Sequence, residues 1–181
     1  LIADAQLAAT SSPENGGAEI AFVNPGGIRT DLAYRSTGVE TPGTVTYGDA
    51  YAVHPFNNSL ITKNMTGTQI LALLNQQFTG TNSGTGVKIL QVSKGFTYTL
   101  TNYTTVTDVR LNGAPLDLAR TYRVAMNSFI ADGGDGFMEF ARGTQPLIVG
   151  VDLDALTAYL SANSSKDTPL PVPTIGRITF N

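Results

Sequence analysis

The spacing of apolar positions changes several times along the chain, and each change marks an element. Ala18-Glu19-Ile20-Ala21-Phe22-Val23 is a short, mostly apolar run ending at Asn24-Pro25-Gly26-Gly27, the pattern of a buried strand that feeds a tight loop. Thr66-Gly67-Thr68-Gln69 has the spacing of a capping box, and Ile70, Leu73, Leu74 and Phe78 follow on one face at helical intervals, which predicts a helix there. From Val87 the period shortens toward two: Phe96, Tyr98 and Leu100 alternate with Thr97, Thr99 and Thr101. Val109-Arg110-Leu111 and an Asn112-Gly113 turn signal come next, so an antiparallel meander is expected. Tyr122 to Met126 reads as a further strand that delivers the chain into a loop at residues 127–136. Asp152 is placed to cap another helix with Leu153, Leu156, Tyr159 and Leu160 inward, and a polar linker leads to a last strand near Ile175 to Phe180. Leu1, Ile2, Ala5 and Ala8-Ala9 suggest a helix at the start. Helices and distant strands mixed in this way, with no internal repeat, predict an α/β or α+β domain.

Composition narrows what such a domain does. With 181 residues and 41% hydrophobic content, one domain spanning residues 1–181 is expected. Charged residues make up 14%, below the roughly 25% of an average soluble domain, and the net charge is −3. No broad basic field is available for a nucleic-acid backbone, so a DNA or RNA polymer is not the expected ligand; a small anion held by one or two arginines remains compatible. Cysteine is absent, which rules out disulfides and thiolate metal sites and suits an exported protein. No apolar run approaches the ~20 residues of a membrane span. Leu1-Ile2-Ala3-Asp4-Ala5 has neither an initiator Met nor the basic region of a signal peptide, so the chain is expected to begin inside a longer polypeptide.

Three segments carry candidate chemistry. In Asn24-Pro25-Gly26-Gly27-Ile28-Arg29, paired glycines let backbone amides approach a ligand, and Arg29 can present its planar fork to a phosphate or carboxylate. The same residues also fit a plain glycine turn with Arg29 at the surface or paired with Asp31. They match neither a dinucleotide fingerprint nor a Walker loop. In His54-Pro55-Phe56-Asn57-Asn58, the proline fixes the backbone ahead of a ring that could stack on a base and an amide, Asn58, that could bond its edge. An ordinary core Phe with turn asparagines is the competing reading. His54 is the one histidine, and with no second His or Cys it suits a packed or capping role better than a zinc site. In the third segment, Asn127 to Phe137, Asp135 has glycine on either side, so its carboxylate is approachable by both hydroxyls of a ribose. A turn in which Asp132 and Asp135 bond their own amides fits as well, whereas a calcium loop lacks its spacing and its closing Glu.

Together the segments hold an anion fork, two aromatic rings (Phe56 and Phe129) and a diol acceptor, the contacts that a nucleoside monophosphate needs. Their order along the chain resembles the C-terminal domain of the 5′-nucleotidase family, which includes periplasmic UDP-sugar hydrolases and surface ecto-5′-nucleotidases. The matching motifs are Asn-x-Gly-Gly-Ile-Arg at residue 24, Gly43-x-Val45-Thr46-Tyr47-Gly48-Asp49-Ala50, Pro55-Phe56-x-Asn58, Thr66-Gly67 and Asn127-x-Phe129-x-Ala131-x-Gly-Gly-Asp-Gly-Phe137.

The resemblance implies a four-layer α/β/β/α fold with mixed sheets. It also implies an N-terminal metallophosphatase domain, absent from these residues, that holds two divalent metal ions and catalyses the hydrolysis. Carried over by motif, Asn24, Gly26, Gly27 and Arg29 would meet the phosphate or neighbouring ribose, Phe56 and Phe129 would sandwich the base, Asn58 would bond its edge, and Asp135 would take the ribose hydroxyls. The implied protein is a secreted, periplasmic or cell-wall-associated enzyme acting on AMP, a UDP-sugar or a similar nucleotide. The 181 residues alone are expected to be inactive. The competing function is a non-catalytic cell-surface module for nucleoside binding or adhesion.

Overall fold

The computed structural model describes residues 1–34 and 40–181. In chain order its elements are α1 (Ile2–Thr10), β1 (Ile20–Val23), α2 (Tyr47–Val53), β2 (Ser59–Thr66), α3 (Gly67–Asn75), β3 (Gln91–Val92), β4 (Phe96–Thr101), β5 (Thr105–Leu111), β6 (Ala114–Pro115), β7 (Thr121–Asn127), α4 (Ser128–Ala131), α5 (Met138–Ala141), β8 (Thr144–Val151), α6 (Asp152–Asn163) and β9 (Ile178–Phe180). Several have visible local causes. The Thr66 hydroxyl accepts from the Gln69 amide at 3.2 Å and the Gln69 side chain accepts from the Thr66 amide at 2.9 Å, closing the capping box that starts α3. Asn112 and Gly113 both take positive φ, 51° and 80°, as the tight turn between β5 and β6 requires.

The strands form two mixed sheets, so the fold is α/β. One has the order β3-β1-β7-β2-β8, with β1 and β7 parallel and the other neighbours antiparallel. The other has the order β6-β5-β4-β9, with β9 parallel to β4. Strand β1 is covered on both faces, which is why its sequence shows no polar alternation. Ile20 and Phe22 enter the core shared by the two sheets and α3, with Phe96, Tyr98 and Leu100 from β4 and Tyr122, Val124 and Met126 from β7. Phe22 meets Phe96 and Phe140 edge to face, at centroid distances of 5.3 and 5.8 Å. The opposite face of β1 and β7 offers Ala21, Val23 and Ala125 to the layer of α1, α2 and α6, and the alanines let Leu7 of α1 come close.

The structure differs from the sequence expectations at Asp152. Val151 is the N-cap of α6 and Asp152 is its first residue, with its carboxylate turned inward to His54 instead of onto the helix amides. Strands β2 and β8, which follow no clean alternation, complete the five-stranded sheet.

Candidate functional site

The parallel pairing of β1 with β7 decides where the three segments meet. Ala21 stands opposite Ala125, so Asn24 and Asn127 leave the sheet together at the carboxyl ends of two neighbouring parallel strands. Antiparallel β2 pairs Leu60 with Asn127, which brings Asn58 to the same edge, and the Ser59–Val151 pairing adds Asp152. Crevices at such strand ends are where open α/β sheets hold ligands.

Asp135 is the centre of this edge. It is left-handed, with φ of +58° between Gly134 and Gly136, a conformation that costs a non-glycine residue about 1–2 kcal/mol. Polar contacts hold it there: Asn24 Nδ2 donates to Oδ2 at 2.7 Å, Lys88 Nζ donates to Oδ1 at 2.8 Å, and Asn82 Nδ2 donates to the backbone carbonyl at 2.8 Å. Asn24 is itself fixed, because Asn127 Nδ2 donates to its Oδ1 at 3.0 Å while Asn127 Oδ1 caps α4 at the Ile130 amide. Asn24 is thus 3% exposed with both ends of its amide engaged, and its visible work is to orient Asp135. Each carboxylate oxygen can accept two hydrogen bonds, so each keeps one acceptor position beyond these partners. Lys63 secures the loop from below: its ammonium is buried and donates to the carbonyls of Ala131 and Phe140 at 2.7 and 3.1 Å, tying the ends of α4 and α5. Burial lowers the Lys63 pKa, with Asp132 acting in the opposite direction.

The remaining candidates lie around Asp135. A Cβ on Gly26 would lie 3.5 Å from Asp135 Oδ2, so only a small residue leaves the carboxylate open on that side. Arg29 Nη1 donates to the Gly26 carbonyl at 3.3 Å, and its guanidinium lies 5.7 Å from the centroid of Phe56. On the other flank Gly134 underlies the Phe129 ring, where a Cβ would come within 2.8 Å of ring carbons. Phe56 and Phe129 are 49% and 50% exposed, well above what a core Phe shows. Asn58 is half-buried and donates to Asp152 Oδ2 at 3.2 Å, which leaves only part of its amide for a ligand.

Behind the glycine loop His54 and Asp152 are fully buried. His54 Nδ1 lies 2.6 Å from the Gly27 carbonyl and Nε2 lies 2.9 Å from Asp152 Oδ2, off the line of a good hydrogen bond, so this second contact is chiefly ionic. Burial pushes the His54 pKa down, yet the Asp152 carboxylate and the Gly27 carbonyl together outweigh it and the net shift is upward.

Sequence reasoning missed Lys88, Lys63, Asn82 and the partner of His54. Only His54 carried a local signal, as the sole histidine beside a candidate ring. Among the described residues no group of three or more His, Cys, Asp or Glu side chains could hold a metal ion, and no helix is long and apolar enough to cross a membrane. A cavity of about 560 Å³ opens beside Ile28, Asp31 and Leu32 but includes none of Arg29, Phe56, Phe129 and Asp135. The converged loops form an open shelf outside it.

Comparison with known proteins points the same way as this geometry. The model of the 5′-nucleotidase C-terminal domain matches residues 1–142. A cell wall protein of Listeria monocytogenes is 34% identical over 169 residues, covering 90% of this chain and 21% of that protein. The trifunctional nucleotide phosphoesterase protein of Bacillus subtilis is also 34% identical, over 176 residues, covering 93% of this chain and 11% of its own length. The crystal structure of a 5′-nucleotidase precursor from Thermus thermophilus superposes with a TM-score of 0.78 at 31% identity, covering 99% of this chain and 34% of that one. The chain therefore spans about a fifth or less of these two curated relatives.

Proposed function

This chain belongs to the family of 5′-nucleotidase C-terminal domains, and from that premise we propose that it is the substrate-holding part of an exported, nucleotide-hydrolysing phosphoesterase. Phe56 and Phe129 take the base between them, and the free part of the Asn58 amide bonds its edge. The Asp135 carboxylate accepts the ribose hydroxyls. Arg29 and the amide of Gly26 hold the phosphate end; the Gly27 amide donates to the Asn24 carbonyl at 3.0 Å and so shapes the turn, while Asn24 orients Asp135 from behind. What carries this reading is the convergence of the three segments at one sheet edge: Arg29 bonds the Gly26 carbonyl and lies 5.7 Å from the Phe56 centroid, Asn24 holds Asp135, and Phe129 lies over Gly134, with both rings half-exposed.

The two divalent metal ions of the family belong, in this reading, to a separate N-terminal metallophosphatase domain, and would there supply charge neutralisation and an activated water. This chain binds and orients. Cell-wall or periplasmic placement is supported by the Listeria relative, which is described as a cell wall protein.

Calorimetry with adenosine and AMP tests the proposal. Binding of both is expected, with Phe129→Ala or Phe56→Ala weakening each by about 1–3 kcal/mol, the value of one base–aromatic stack. A folded sample that binds neither at millimolar ligand would favour a cell-surface adhesion module instead. Incubated with AMP and Mn²⁺, the isolated chain is expected to release no phosphate above a protein-free control.

A further inference from the structure

We propose that His54 is a positioning residue of the nucleotide site, whose second ring proton joins the loop carrying Arg29 to the loop carrying Phe56 and Asn58. The inference rests on the nucleotide-site reading above and adds to it a proton that the site needs.

Both partners of the His54 ring are acceptors: the Gly27 carbonyl at Nδ1 and the Asp152 carboxylate at Nε2. A neutral imidazole has one N–H and one lone pair, so either tautomer would turn a lone pair onto one of these oxygens. Only the imidazolium suits both. The ring is fully buried, so no water replaces a lost partner, and losing the charge would leave the buried Asp152 carboxylate without its cation. Asp152 is already short of partners, since its Oδ1 is buried with no hydrogen bond. The start of α6, where it sits, offers it only the helix dipole.

Each broken contact would release a part of the site. Gly27 lies two residues before Arg29 and forms part of the turn whose Gly26 carbonyl holds that guanidinium. Asp152 accepts from Asn58, and its own amide donates to the Asn58 carbonyl at 3.0 Å. The backbone adds a link, because the Arg29 amide donates to the Val53 carbonyl beside His54. The protonated ring thus clasps the phosphate side of the site to its base side.

Other charged groups on the surrounding elements are already engaged or point elsewhere. On α6 Asp154 shares the first turn, but only Asp152 contacts the ring. On α2 Asp49 closes its own capping box with Thr46. On α1 Asp4 is paired with Arg177. Across the glycine loop Arg29 lies over Phe56, and Asp135 is paired with Lys88.

The test uses the 181-residue chain and adenosine, which has no phosphate to titrate. Affinity is measured from about pH 5.5 to about 9.5, and the ring protonation of this sole histidine is followed by NMR over the same range. Adenosine affinity is expected to fall about tenfold as the ring loses its proton. Asp152→Asn, which removes the ring's counter-charge, is expected to move both midpoints to lower pH together, and His54→Gln to flatten the affinity profile. A merely structural ring would not make affinity track its own titration. If His54→Gln does not fold, the parent and Asp152→Asn profiles carry the test. Adenosine affinity that ignores pH across the range overturns the inference, as does a ring midpoint that moves in Asp152→Asn without the affinity profile. Absence of adenosine binding at every pH sinks the nucleotide-site reading itself, which separates the two failures.

Discussion

Gly134 lies so close beneath Phe129 that a methyl group there would meet the Phe129 carbonyl at 2.5 Å and its ring at 2.8 Å. Gly134→Ala is therefore expected to push the ring off its seat, at a cost of about 1–3 kcal/mol in stability, the usual range for overpacking. Adenosine binding should weaken as well, and a chemical denaturation curve read beside a calorimetric titration would separate the two losses. At this scale the sequence marks the rings, because Phe56 and Phe129 sit among glycine, proline and asparagine that keep them half-exposed, whereas Asp135, between its glycines, is mostly covered by Asn24 and Lys88. The sequence carries much less of what holds them. Asn24 and Asp135 are 111 positions apart and Lys88 and Asp135 are 47 apart, and nothing local in Val87-Lys88-Ile89 announces an ion pair. Asn24, expected at the ligand, turned out buried because the strand order sets Asn127 and Asp135 against its amide.

Among the elements, α3 and β4 follow the sequence closely, each having a strong period and, for α3, a formed capping box. Helix α2 also has a local cause, since Thr46 and Asp49 close a capping box of their own. Strand β2 was obscure for a physical reason. It interrupts its apolar positions with Thr62 and Lys63, which are buried all the same, Lys63 because it finds the carbonyls of Ala131 and Phe140. Strand β8 is an edge strand exposed at most positions, so no burial pattern was available to mark it. The function of β2 can be tested through its lysine. Lys63→Met keeps the length of the side chain but leaves two carbonyls without a donor, and is expected to destabilise the protein by about 1–3 kcal/mol. Because those carbonyls bracket the Asp135 loop, amide hydrogen exchange should rise at residues 131–141 more than in β4 and β5.

In the whole molecule, the two sheets and the helical layer are joined by one ion pair between residues far apart in sequence. Arg177 donates to both carboxylate oxygens of Asp4 at 2.7 Å and to the Val92 carbonyl at 2.9 Å, while the Lys94 amide donates to Asp4 at 2.7 Å. Partial burial raises the Asp4 pKa, but Arg177 and the Lys94 amide outweigh it and the net shift is downward. A carboxylate with a lowered folded pKa stabilises the protein above its unfolded value, about 3.9, and that stability disappears as pH falls through the folded value. Asp4→Asn is thus expected to lower the melting temperature at pH 7 and to reduce the fall in melting temperature between about pH 5 and about pH 3, as scanning calorimetry would record. No sequence pattern hints at this pair, whose members lie 173 positions apart. The same contact has a mechanical side. Since Asp4 and Arg177 touch, tension applied through the ends of the chain would load this pair first and the short parallel seam of β9 on β4 next. Strands β7 and β2, which carry part of the proposed nucleotide site, lie farther from both ends of the chain, so a pull on the domain should unzip its rim before it distorts that part of the site.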